Sequence, residues 1–232
     1  FGSYDSKPYI PLNYMNTLKD VFTIVHEMGH SMHSFYTRKT QPFTYGDHSI
    51  FTAEVASTVN ESLLMQHLLQ KETDPEMRKY LVNYYIEEFR TTLFRQTMFA
   101  EFEMLTHKEV ENGGVLTAEW LCEVYDKLNK DYFGPALAED EYIKYEWARI
   151  PHFYRSFYVY QYATGYSAAT AISKRILTEG EKARTDYIEF LKSGSSDYPV
   201  ELLKIAGVDM SSPAPIRAAM ETFQSLVEEL ET

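Results

Sequence analysis

The stretch Thr17-Leu-Lys-Asp-Val-Phe-Thr-Ile-Val-His-Glu-Met-Gly-His-Ser-Met-His-Ser-Phe-Tyr36 decides how this chain is read. Leu18, Val21, Phe22, Val25, Met28, Gly29, Met32, Phe35 and Tyr36 recur at intervals of three and four, the period of an amphipathic helix. Thr17, with Asp20 three residues later, has the form of a capping box in which Asp replaces the usual Glu. The spacing predicts a helix over roughly 17–37. His26 and His30 then share one face, one turn apart, so both imidazoles can reach one metal ion.

Working outward, the first 16 residues lack this period. Pro8 and Pro11 bracket Tyr9-Ile10, which reads as an extended edge strand, where proline is tolerated. After a Pro- and Gly-punctuated loop over 41–47, a second helix is expected from Ser49 to Lys71. The region 17–71 is thus expected to be a helix pair, the candidate metal-binding part of the chain. Asp74-Pro75 opens a long helix toward Val110, stopped by Gly113-Gly114. Thr117 caps another, ending near Gly134-Pro135. A charged helix is expected over 139–149 and an aromatic-rich one over 153–178, with shorter helices after it. The fold class is all-α, with a short extended segment at the N-terminus, and 72–232 forms a helical body.

Net charge is -12, with no basic patch, which disfavours nucleic acid as a partner. No apolar run approaches the ~20 residues of a membrane span. Cys122 is the only cysteine, so no intrachain disulfide can form, and a reducing compartment fits. The chain opens on Phe1 with no signal-like stretch, and is read as a piece of a longer protein.

A catalytic zinc takes three protein ligands and keeps one position open. His26 and His30 supply two. His33 lies seven residues beyond His26, a rise of about 10.5 Å, so all three histidines cannot share an ion whose bonds to nitrogen are about 2.0–2.1 Å. Glu27 favours the His26–His30 pair, because it gives that pair a general base. The third ligand must come from another element, and Glu54 is the candidate. It sits among the apolar residues of Phe51-Thr-Ala-Glu-Val-Ala-Ser57, where a carboxylate needs a partner. Glu61, two turns further on, could hold a histidine by its other ring nitrogen. Each residue also has a plainer reading as a solvated or paired side chain. His33 is taken as a packed neighbour, and His48, His67 and His107 have no role.

Four blocks in order, Phe1 to Ile10, His26 to His33, Phe51 to Glu61 and Pro151 to Gly165, resemble oligoendopeptidase F, the bacterial branch of the thimet-oligopeptidase-like zinc peptidases. The resemblance implies a mostly helical, cytoplasmic enzyme with one Zn²⁺ that cuts short peptides in a deep channel. This chain would be its C-terminal catalytic part, and the N-terminal remainder would form one channel wall. By position, the resemblance makes His26, His30 and Glu54 the zinc ligands and Glu27 the base acting on water at the metal. It places an oxyanion-stabilising group at His152 and a tyrosine. Tyr160 is favoured, Tyr158 is next, Tyr154 and Tyr162 compete, and Tyr162 is read as core. Two rivals stand beside this reading: a helical zinc carboxypeptidase, and a zinc-binding fragment that is inactive without the channel wall.

Overall fold

The computed structural model describes residues 2–138 and 140–231. Its regular elements are helical: α1 Leu18–Thr40, α2 Ile50–Lys71, α3 Pro75–Glu88, α4 Arg95–Glu111, α5 Ala118–Phe133, α6 Tyr160–Glu179, α7 Glu181–Lys192, α8 Pro199–Ile205 and α9 Ala214–Leu230. No strand occurs among the described residues, and none of the described helices is long and apolar enough to cross a membrane. The chain divides into two compact units, Phe1–Glu87 with Thr164–Thr232, and Glu88–Ala163.

The expected edge strand is replaced by a turn closed by the Ser6 N–H on the Ser3 carbonyl, 3.0 Å, followed by irregular chain to residue 16. The reason lies in what this segment has to bond with. Pro8 and Pro11 lack N–H donors, and no strand among the described residues offers a ladder. Its start is tied to the end of α1 instead. The Tyr4 hydroxyl donates to the Gln41 carbonyl at 2.6 Å, and Arg38 donates to the Ser3 and Gly2 carbonyls at 3.0 and 3.2 Å.

In the first unit, Thr17 and Asp20 form the complete capping box that starts α1. Val55, Ala56 and Val59 of α2 pack against Ala168, Ala169 and Ile172 of α6 and Phe190 and Leu191 of α7. Small residues line that contact, and hydroxyls settle with one another inside it. Ser62 Oγ lies 2.7 Å from Ser173 Oγ and 3.3 Å from the Tyr85 hydroxyl. Thr37 Oγ1 donates to the Leu191 carbonyl at 2.9 Å, which ties α1 to the end of α7.

The second unit departs from expectation in three places. The long helix over 75–111 is interrupted by π-type turns at Phe89–Phe94. They contain Thr91, whose hydroxyl donates to the Glu88 carbonyl at 3.4 Å. Residues Ile143–Arg149 form a 3₁₀ helix rather than a charged α-helix, and the expected start at Glu139 lies outside the described residues. Here Glu146 turns inward, buried, with Arg95, Arg149 and the Tyr125 hydroxyl all bonded to its carboxylate. The aromatic helix begins only at Tyr160: Pro151–Tyr154 is a 3₁₀ turn, and residues 155–159 are not helical.

Candidate metal centre

Gly29, at the centre of His26-Glu-Met-Gly-His30, explains how α1 and α2 meet. A Cβ built there would lie 2.5 Å from the Ser57 Cα and 2.6 Å from the Ala56 carbonyl oxygen. Only a residue without a side chain lets the two backbones approach so closely. The same crossing is bridged by Asn60, whose amide donates to the Val25 carbonyl at 3.3 Å. Glu54, one turn before Ser57, is thereby delivered to the histidine face.

The result is a triangle of donor atoms. His26 Nε2 and His30 Nε2 are 3.1 Å apart, and Glu54 Oε2 lies 3.3 Å from the first and 3.4 Å from the second. Four donors arranged tetrahedrally at the usual zinc bond lengths are separated by about 3.3 Å, so these three fit one face of such a site. They are two nitrogens and a carboxylate oxygen, a donor set suited to zinc. It is the only group of metal-competent side chains among the described residues.

Two further contacts hold these donor side chains. The Ser57 hydroxyl lies 3.2 Å from Glu54 Oε2 and 2.9 Å from the Glu54 carbonyl oxygen, and donates toward both. Glu61 Oε1 lies 3.3 Å from His26 Nδ1, the ring nitrogen facing away from the triangle. Burial alone would lower the pKa of His26, but the hydrogen bonds and charges of Glu54 and Glu61 outweigh it and hold His26 up to about 10. Burial likewise pushes Glu54 up, yet the two histidines prevail and hold its carboxyl well below the usual range. Glu27 follows His26 on α1 and is half-buried.

His33 takes no part in the triangle. It is 1% exposed, and its ring lies flat on that of His48, centroids 4.0 Å apart at 8°. Gly165 of α6 faces Glu54, and a Cβ there would stand 3.9 Å from the Glu54 Cβ, an ordinary packing contact. Sequence reasoning passed over Gly29, Ser57 and Asn60 as functional positions. Ser57 carried a usable signal, a hydroxyl one helical turn after Glu54, the candidate third donor. Gly29 and Asn60 gain meaning only once the helix crossing is known.

In the second unit His152 gathers two tyrosines. The His152 and Tyr158 rings stack with centroids 5.6 Å apart at 27°, and the Tyr162 hydroxyl lies 3.4 Å from His152 Nε2. Tyr162 packs on the core and also touches His152. Tyr160 opens α6 and is 40% exposed, while Tyr154 is 90% exposed.

The profile of peptidase family M3 matches residues 1–222. Oligopeptidase PepF from Bacillus subtilis is 56% identical over 230 residues, which are 99% of this chain and 34% of that protein. An oligoendopeptidase F homolog from Lactococcus lactis is 49% identical over 99% of this chain and 38% of its own length. Among solved structures, oligoendopeptidase-F from Enterococcus faecium aligns with a TM-score of 0.83 at 51% identity, covering 92% of this chain and 39% of that one. A solved chain from Chlamydophila abortus aligns with a TM-score of 0.91 at 45% identity, covering 99% of this chain and 39% of that one. The chain therefore spans little more than a third of the length of the relatives it matches.

Proposed function

Since this chain belongs to peptidase family M3, we propose that it carries the zinc centre of an oligoendopeptidase that hydrolyses short peptides. The observation that supports the reading most is the donor triangle, with sides of 3.1, 3.3 and 3.4 Å, with Glu27 next to His26 on α1. His26, His30 and Glu54 would hold one Zn²⁺. Zinc bound there supplies a Lewis acid that polarises a carbonyl and lowers the pKa of a coordinated water toward about 7.

The remaining chemistry falls to side chains of this chain. Glu27 accepts a proton from the attacking water and returns it to the departing amine. Glu61 fixes the tautomer and orientation of His26 through Nδ1, and Ser57 restrains the Glu54 carboxylate. His152 with Tyr160 or Tyr158 donates hydrogen bonds to the oxyanion of the tetrahedral intermediate, each such donor contributing about 3–4 kcal/mol. Tyr162 holds the His152 ring. The enzyme acts in the cytoplasm, needs the remainder of the longer protein to complete its substrate channel, and has short peptides as its partners.

Glu27→Gln tests this reading. The variant should bind zinc as the parent does and lose nearly all turnover of an internally quenched, end-blocked peptide. Substantial turnover in that variant would overturn the assignment of the base. Cleavage that requires a free C-terminus would replace endopeptidase with carboxypeptidase action.

A further inference from the structure

The chain between His152 and α6 turns at a residue ill suited to turning. Phe157 has φ of 55°, in the left-handed region that residues with a Cβ avoid. Such a conformation persists only when its surroundings impose it. Two residues of α4, one turn apart, do so. The Phe157 N–H donates to Glu103 Oε1 at 2.5 Å, and the Phe157 ring lies against the His107 imidazole, centroids 4.5 Å apart. Glu103 is 4% exposed. Burial pushes its carboxyl up, and the Phe157 N–H and His107 only partly offset that. A buried carboxylate bonded to a loop N–H is a costly feature for packing alone.

We infer that Glu103 is a positioning residue for the His152–tyrosine group, acting through the backbone of Phe157. Residue 157 is the point at which the 3₁₀ turn carrying His152 is redirected into α6. On one side of it stands His152; on the other are Tyr158, stacked on His152, and Tyr162, whose hydroxyl reaches the His152 ring. Val159, between them, is buried and anchors the far end of the loop. With its N–H unbonded, Phe157 would relax to negative φ and turn Tyr158 away from His152. This inference rests on the proposal that His152 and its tyrosines serve the oxyanion.

The test is made in the full-length, zinc-loaded protein. Glu103→Met fills the same buried space without an acceptor, and Glu103→Gln keeps one. Glu103→Met should lower kcat about 10- to 100-fold, as expected for a small misplacement of catalytic groups, with KM and zinc content within about twofold of the parent. Glu103→Gln should restore kcat to within about threefold. Because Glu103 acts through the group that includes His152, Glu103→Met should cost clearly less in the His152→Ala background than in the parent, only the tyrosine's share remaining. Full additivity of the two substitutions, an unchanged kcat in Glu103→Met, or a loss seen only in KM would each overturn the inference. If Glu27→Gln abolishes turnover while Glu103→Met does not, the hydrolase reading stands and the role of Glu103 alone fails. If the zinc-loaded parent shows no turnover of the peptide, the hydrolase reading fails first; if Glu27→Gln leaves turnover intact, only the assignment of the base fails.

Discussion

Replacing Gly29 with Ala should weaken metal binding without unfolding the protein. The added methyl would lie 2.5 Å from the Ser57 Cα and 2.7 Å from its amide nitrogen, where ordinary contact begins at 3.4 Å. Both are backbone atoms and cannot swing aside, so α1 and α2 must part by about 0.9 Å at their crossing. Overpacking of this kind costs about 1–3 kcal/mol, while Ala in place of Gly in a helix returns about 1 kcal/mol. The net loss of about 0–2 kcal/mol would lower Tm by only a few degrees in a chain of this size. The metal site is less forgiving. Glu54 moves with α2, and metal–ligand distances tolerate only about 0.2 Å. Zinc affinity should fall about 10- to 100-fold, by analogy with the loss of groups that support the ligands. Competition against a chelator of known affinity measures it, with Tm recorded on the metal-free protein. Zinc affinity equal to the parent's would refute the idea that this glycine sets the distance from Glu54 to the histidines.

Other outcomes follow from the same geometry. Glu61→Gln should lower zinc affinity about tenfold, because His26 loses the carboxylate on Nδ1; an unchanged affinity would make that 3.3 Å contact incidental. The pH dependence has a definite sign. In the metal-free chain the proton on His26 is held up to about 10, above its ordinary 6.5. Its contribution to stability is complete below about pH 6.5 and disappears as pH rises through about 10. Zinc must displace that proton, so affinity should climb about tenfold per pH unit between pH 7 and 9. Calorimetry in buffers of different ionisation enthalpy should count close to one proton released, and a flat profile would refute the reading of His26.

Where local rules govern, the sequence was legible. α1 begins at the Thr17–Asp20 box and α5 at Thr117, because a capping side chain acts within three residues of itself. His26, His30 and Glu54 could be grouped in advance, since helical rise excludes His33 and Glu54 is a carboxylate among apolar neighbours that needs a partner. Features created by distant partners were not legible. The aromatic run 153–159 has helical spacing, but the Glu103 carboxylate, more than fifty residues earlier, holds Phe157 out of a helix. Glu146 sits in a charged segment that reads as a solvated face, and two arginines and a tyrosine draw it inward. The proline-flanked N-terminus resembles an edge strand in composition, yet among the described residues it has no sheet to join.

The stacked pair His33 and His48 has an electrostatic consequence for the metal centre. Burial lowers the pKa of both, and the charge of His30 pushes each further down, while Asp47 and Glu54 only partly offset this at His48. Both rings are therefore uncharged at neutral pH. A dication held by His26, His30 and Glu54 would meet the negative charges of Glu54 and Glu61 with no positive charge on His33 or His48 to oppose it. The fold places four imidazoles in this region and keeps two of them from opposing a divalent cation.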